Sequence, residues 1–415
     1  MTHAFPSPFT QLATNESPHA DQPARTTNAK AHETARGRFV RRVAAAWPLA
    51  IWICALLGVG WLGLGHAAAC ALQKAPSGHG PLLKSLSVTC DEDALLGPDR
   101  RPTLYAIADA RGRYLAQRPV AVLVHGLAGH PADLAGVADQ LSQAGYQVHA
   151  LFFDDMGQRV RDNGRGLAAE LLRLAGQPGQ ATGSLTVVAH SAGGLVARLA
   201  LNLLAAAGQL QRFDQVHLYA IDTPWHGYFG PSDRTLLGRL RMRVVEPFMP
   251  NGMEDLRAES LLFTGDPDSA NTALARGLLR YPLPPHVHVH LCFAQHGDQV
   301  HDYTEGLLQS LSEQIARYYR EARPVRGSAQ LQNFWHALIS TDSYFGFQDE
   351  LRQLADRGGL SAWQVERALL RHFPRFPGNH ETILRPQVQM GQVTLLSQLV
   401  PTLHARQQKD ARSRL

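Results

Sequence analysis

Ser191 lies in a stretch, Leu185–Ala200, that reads L-T-V-V-A-H-S-A-G-G-L-V-A-R-L-A. A serine hydroxyl is a poor nucleophile near neutral pH. It becomes effective only with a base in hydrogen-bond reach, an acid that orients the base, and N–H donors for the developing oxyanion. The surrounding pattern suits such a serine. Leu185–Val188 is a short apolar, β-branched run that predicts a buried parallel strand. After Gly193 and Gly194, residues Leu195, Val196, Leu199 and Leu203 recur at helical spacing. Ser191 is therefore expected at a tight strand-to-helix turn among small residues, at the positive end of the following helix. The motif is A-H-S-A-G, with Ala189 where G-x-S-x-G has its first glycine.

The same chemistry requires an acid and then a histidine downstream, each at a strand end or in the loop after it. His380, in P-G-N-H-E-T-I-L, is the expected base, followed by an apolar Ile383-Leu384 pair that can pack the next segment down. His301, His336 and His372 are its rivals; His336, in N-F-W-H-A-L, reads as a packed helical side chain. Asp298 directly follows the run Val287–Phe293 and is the expected acid. Asp222 ends the run Val216–Ile221 and remains the open alternative, because an acid can reach the base from either of two neighbouring strands. The oxyanion donors are expected to be the backbone N–H groups of Ala192 and of Leu127, which follows His125-Gly126 at the end of the run Val120–Val124. His286, His288 and His290 alternate on one strand face, which reads as a polar face rather than a metal site.

Around these residues, apolar runs alternate with helical patterns. Strands are expected at Val120–Val124, Gln147–Phe153, Leu185–Val188, Val216–Ile221 and Val287–Phe293. Helices are expected at Ala132–Ala144, Leu167–Ala175, after Ser191, and at Thr304–Tyr319 and Ala362–Phe373. Leu86–Thr89 and Leu104–Ala108 read as peripheral antiparallel strands ahead of them. This rhythm predicts an α/β fold with a mostly parallel sheet covered on both faces. Between about 228 and 281 the strand rhythm stops, which suggests a cap insertion over the serine.

The chain has 415 residues, 45% apolar and 18% charged, with a formal net charge of +5. Its arginines are scattered, without a basic run among aromatics, so nucleic-acid binding has no support. Residues 1–42 form a polar arm ending in a basic cluster of Arg36, Arg38, Arg41 and Arg42. An uncharged apolar run from Val43 to Gly65 follows, long enough for a span that takes about 20 residues. The segment 43–72 is expected to be a transmembrane or signal anchor, with the arm inside and the bulk of the chain exported. Residues 73–405 then form the main domain and 406–415 a charged tail. Cys70 and Cys90 could pair in an oxidising compartment, Cys54 lies in the apolar run, and Cys292 reads as a core thiol.

Three motifs resemble those of the α/β-hydrolase superfamily, lipase/esterase branch: Val124-His125-Gly126, A-H-S-A-G-G-L-V-A-R, and Thr223-Pro224-Trp225-His226-Gly227, which is similar to the T-P-x-x-G segment of many lipases. The resemblance covers about 120–384. It implies Ser191 as nucleophile, Asp298 as acid and His380 as base, with no cofactor and an ester or acyl-lipid substrate. A second resemblance, to thioesterase domains, implies instead an acid after the earlier strand, at Asp222.

Overall fold

Val120–Val124 is buried at every position, and the run ending at His190 is buried between its end residues. Strands this apolar belong in the middle of a parallel sheet with helices on both faces. The computed structural model describes residues 72–73, 82–86, 95–96, 98–109, 111–114, 118–177, 183–227, 251–295, 299–321, 327–380, 382–384, 395 and 399. Among the described residues nine strands form one sheet. They are β1 (Leu72–Gln73), β2 (Leu82–Leu83), β3 (Thr103–Ile107), β4 (Val120–Val124), β5 (Gln147–Phe152), β6 (Ser184–His190), β7 (Gln215–Ile221), β8 (Val287–Ala294) and β9 (Arg375–Phe376), in the spatial order β1-β2-β3-β5-β4-β6-β7-β8-β9. From β5 to β9 every pairing is parallel, whereas β3 runs antiparallel to β5.

The order contains the feature that matters for chemistry. The chain leaves β4 for β5 on one side and returns to β6 on the other. In open α/β sheets ligands bind beyond the carboxyl ends of the strands at such a reversal. Register keeps the strand ends level: Val124 faces Ala189, His190 faces Ile221, and Ile221 faces Cys292.

Helix α1 (Ala135–Gln143), after a 3-10 turn opened by Pro131, buries Val137, Ala138 and Leu141 on one sheet face. Ile383 and Leu384 join the same core. Helices α2 (Val160–Ala175) and α3 (Ala192–Ala206) pack against each other. The structure starts α2 seven residues before the expected Leu167. Gly164 and Gly166 suggest a loop in sequence, yet both lie inside the helix, and a Cβ on Gly164 would stand 2.8 Å from Leu199 Cδ2 of α3. Glycine here permits close helix approach. Of the expected strand Leu86–Thr89 only Leu86 is among the described residues. The pairing lies at Leu82–Leu83, with Leu86 in a buried bend, because Leu83 O accepts Ala108 N–H at 2.8 Å.

The described part of the 228–281 insertion holds three short helices, α4 (Asn251–Glu254), α5 (Leu261–Thr264) and α6 (Thr272–Arg276). It is fastened by polar contacts: the Asp255 carboxylate accepts Arg161 N–H at 3.0 Å and Leu278 O accepts Asn202 Nδ2 at 2.7 Å. After α7 (Gln299–Glu321) come α8 (Ala329–Ile339), α9 (Ser343–Asp356) and α10 (Ala362–His372); the sequence pattern bounded the last and read a helix around His336 of α8, but not α9. Among the described residues no helix is long and apolar enough to cross a membrane. Residues 43–71 of the expected anchor segment 43–72, with Cys54, Cys70, Cys90 and the charged tail, lie outside them, and Leu72 opens β1.

Two kinds of buried polar group bear on stability. Arg198 of α3 is 1% exposed and, among the described residues, meets neutral acceptors; Asn202 Oδ1 accepts at 3.1 Å, Tyr281 O at 3.0 Å and Ser340 Oγ at 3.4 Å. Burial pushes its guanidinium down to about 10. The second kind is neutral imidazole. Burial pushes His125, His190 and His336 down to about 4 and His226 to about 3. Two raised carboxyls, Asp155 and Asp255, act in the opposite sense.

Two outcomes are expected. Arg198→Ala removes the hydrogen bonds to Asn202, Tyr281 and Ser340 and leaves a cavity in the core, and it lowers the unfolding free energy by about 2–4 kcal/mol, read by denaturant titration. Because the folded histidines sit below their unfolded values, the unfolded chain binds protons first. Their contribution is complete above about pH 6.5 and is lost as pH falls toward about 4, at about 1.4 kcal/mol per pH unit for each group. Melting temperatures measured from pH 7.5 to 4.5 should fall accordingly, less steeply in His336→Gln.

Candidate active site

β6 ends at His190 and α3 begins at Ala192, so Ser191 makes the reversal alone. It does so at φ 52° and ψ −132°, a conformation that side-chain-bearing residues rarely adopt. Neighbouring loops hold it there. Ser191 N–H donates to Ile221 O at 2.9 Å. A Cβ on Gly193 would lie 2.2 Å from His125 O, and one on Gly194 2.0 Å from Thr223 Oγ1. The two glycines after the serine are thus set by the loops after β4 and β7.

Ser191 Oγ stands 2.8 Å from His380 Nε2, and His380 Nδ1 stands 2.6 Å from Asp222 Oδ2. With Nδ1–H donating to the carboxylate, Nε2 is left to accept the serine proton. The second Asp222 oxygen accepts Ala294 N–H at 3.2 Å. Burial alone would raise the Asp222 carboxyl, but the hydrogen bond and charge of His380 and the Ala294 N–H outweigh it, and the group lies below its ordinary value. His380 comes from the loop after β9. That loop is shaped by Asn379 and Thr382, whose side chains and backbones exchange hydrogen bonds of 2.9 Å, and is pinned to β8 through Gln295 N–H on Gly378 O at 3.2 Å.

The expectation of Asp298 as acid is corrected here, since the carboxylate on His380 Nδ1 is that of Asp222; Asp298 lies outside the described residues. The physical reason is adjacency. β7 is the next strand to β6, and Asp222, at φ 45°, leaves it in a turn beside the elbow, with its N–H on Cys292 O at 2.7 Å. Of the rival histidines, His336 is packed on α8, as its sequence setting suggested, and His372 pairs with Glu350 at 3.0 Å. The side chain of His301 lies outside the described residues. On the β8 face, His288 meets Asp342 Oδ2 at 2.6 Å and Gln215 Oε1 at 2.8 Å, and among the described residues no group of three or more metal-binding side chains occurs.

Of the expected oxyanion donors, Ala192 directly follows the serine, and Leu127 follows Gly126, which packs against it. Ala192 is the first residue of α3, where an N–H has no intrahelical partner. Gly126 comes so close that a Cβ on it would lie 2.6 Å from Ser191 Cβ, which brings the backbone leading to Leu127 alongside the hydroxyl. Gly129 N–H closes the turn on Gly126 O at 3.2 Å. Two neighbours carry no sequence signal of their own. Asp155, in D-D-M-G, reads as a plain turn residue, yet the N–H groups of Ala128 and Gly129 bear on its carboxyl, which burial pushes up to about 6. His190 reads only as the variable position of the motif, yet its Nε2 lies 2.7 Å from His380 O. Neither contact spans fewer than 26 residues, so no local pattern announces it.

A family model described as "Putative serine esterase (DUF676)" matches residues 117–276. That segment holds the oxyanion loop, Ser191 and Asp222 but not His380. Among solved structures, the chain is similar to a Bacillus licheniformis lipase in mature form (16% identity, 66% of this chain and 89% of that one, TM-score 0.32). It is also similar to a hyperthermophilic esterase from Pyrobaculum calidifontis (13%, 74% and 84%, 0.38) and to a Vlm2 thioesterase domain (15%, 74% and 97%, 0.34). No curated protein matches. The family match begins just before β4 and runs past β7, so it covers the strands and turns that bring Ser191 and Asp222 together, and over that segment the chain is similar to a family described as serine esterases.

Proposed function

We propose that the protein is a membrane-anchored hydrolase of carboxylic esters that works through an acyl-enzyme on Ser191. The observation that carries the reading is the hydrogen-bonded series Ser191 Oγ, His380 Nε2, His380 Nδ1, Asp222 Oδ2, at 2.8 and 2.6 Å. His380 removes the hydroxyl proton as Oγ attacks the ester carbonyl. The oxyanion is received by the N–H groups of Leu127 and Ala192. His380 then returns the proton to the leaving alcohol, and the alcohol departs. In the second half His380 takes a proton from water, the hydroxide adds to the acyl carbon, and the acid leaves as Ser191 regains its proton. Asp222 keeps Nδ1–H oriented and stabilises the imidazolium in both halves. The residues that do this chemistry require no metal or cofactor.

One observation favours a second reading of the same site. The acid follows β7, the strand next to the nucleophile strand, which is the position that the resemblance to thioesterase domains implies. An acyl thioester would pass through the same steps with a thiol as the leaving group, and an acceptor other than water would give its proton to His380 and take the acyl group in the second half. The anchor rests on the sequence alone: the apolar run 43–65 and the arginines before it favour a single pass with the catalytic domain on the exported side.

A fluorophosphonate probe should label the wild type and leave Ser191→Ala unlabelled. Asp222→Asn should lose roughly 10³–10⁴-fold in kcat on aryl esters, while Asp298→Asn stays near wild type. The reverse pattern would return the acid's role to Asp298. Running acyl thioesters beside aryl esters decides the substrate class, since the better kcat/KM identifies the bond for which the site is built. For the anchor, alkaline carbonate should leave the full chain in the membrane pellet. Removal of residues 1–68, which spares β1, should release it in active form; an unreleased truncated chain would contradict the anchor.

A further inference from the structure

His190 precedes the nucleophile and ends β6, yet its side chain engages the residue that serves as base. Its Nε2 lies 2.7 Å from His380 O, and the two rings lie 4.7 Å apart, inclined at 38°. A carbonyl oxygen only accepts, so Nε2 carries the proton and donates it. We infer that His190 is a positioning residue: its Nε2–H ties the backbone of the catalytic histidine to the nucleophile's own strand end and so fixes the Nε2–Oγ approach. The inference rests on the roles proposed for Ser191 and His380.

The geometry shows why a tie is needed at this point. Ser191 is fixed by the elbow and Asp222 by its N–H on β8. His380 arrives separately, from a turn after the two-residue strand β9. That turn is anchored through Gly378 O to Gln295 and internally through Asn379 and Thr382, and those bonds join it to β8 or to itself. The His190 bond joins it to β6, the strand that carries the serine. The two fixings meet at one residue, His380, whose backbone is held through its carbonyl and whose ring is held through Nδ1. His190 is also suited to sit beside a base that becomes cationic. Burial and the neighbouring His380 charge keep it neutral, down to about 4, so it adds no competing positive charge when His380 is protonated. Displacement of a catalytic group by about 1 Å can cost on the order of 10²-fold in rate.

The test compares the full-length wild type with His190→Gln, His190→Met and His190→Phe. Glutamine places an amide N–H near the position of the imidazole Nε2; methionine matches its size without a donor; phenylalanine keeps the ring without one. Active sites are counted by fluorophosphonate titration, so kcat refers to competent enzyme alone. The expected result is a kcat lower by about 10–100-fold in Met and Phe with KM within about threefold, slower probe labelling in the same ratio, and recovery in Gln to within about fivefold of wild type. Equal kcat in wild type, Met and Phe would overturn the inference, as would a Gln variant no better than Met. Should Phe fail to fold, the Gln and Met pair decides alone. Failure of the underlying reading looks different: a wild type without labelling, or labelling that survives in Ser191→Ala.

Discussion

The reversal at Ser191 occupies one residue between a strand and a helix, and the arrangement of the site follows from that brevity. A longer turn would lift the hydroxyl away from the sheet. A single residue can manage it only at positive φ, and only if the first turn of the helix has no side chain where the neighbouring loops press in. Gly193 and Gly194 meet that condition against His125 O and Thr223 Oγ1. The contact is reciprocal. The loop after β4 is drawn close enough to present Leu127, and the loop after β7 is drawn close enough for Asp222 to meet His380. Compression at the elbow therefore sets distances in two loops far apart in sequence.

Strand order supplies the rest of the geometry. With β4 and β7 on either side of β6 and their ends level, the oxyanion loop and the acid flank the nucleophile. Three of the four non-glycine residues with positive φ among the described residues, Ala128, Ser191 and Asp222, lie in this neighbourhood. Strain of about 1–3 kcal/mol at each such residue persists only where packing over-determines it. The strand core beneath, apolar from Val120 to Val124 and buried from Leu185 to Ala189, supplies that rigidity.

Much of this is legible in sequence because it is local. Strand periodicity places β4, β5, β6, β7 and β8 to within two or three residues at each end, and the small residues around Ser191 announce the elbow. Two failures have specific causes. The start of α2 is hidden because Gly164 and Gly166 look like helix breakers, and their use, close approach to Leu199 and Pro102, is visible only when the partners are in place. The acid is misjudged because Asp222 and Asp298 present the same local signal, a carboxylate after an apolar strand. Which one meets the base depends on a turn angle and on the path of a loop more than 150 residues from Asp222. His190 and Asp155 are opaque for the same reason: their significance lies in a contact, not in a pattern.

His380 reaches the site only after α8, α9 and α10 have been laid down, late in a chain whose serine and acid are both in place by residue 222. A polypeptide emerging from its N-terminal end therefore carries an elbow, an oxyanion loop and a carboxylate for many residues before it carries a proton acceptor. Until the segment ending in Ile383 and Leu384 settles into the core beside α1, Ser191 lacks the imidazole that stands against its hydroxyl in the finished fold. The order in which the residues are made therefore keeps the Ser191–His380–Asp222 series from assembling in any form of the chain that stops short of residue 380.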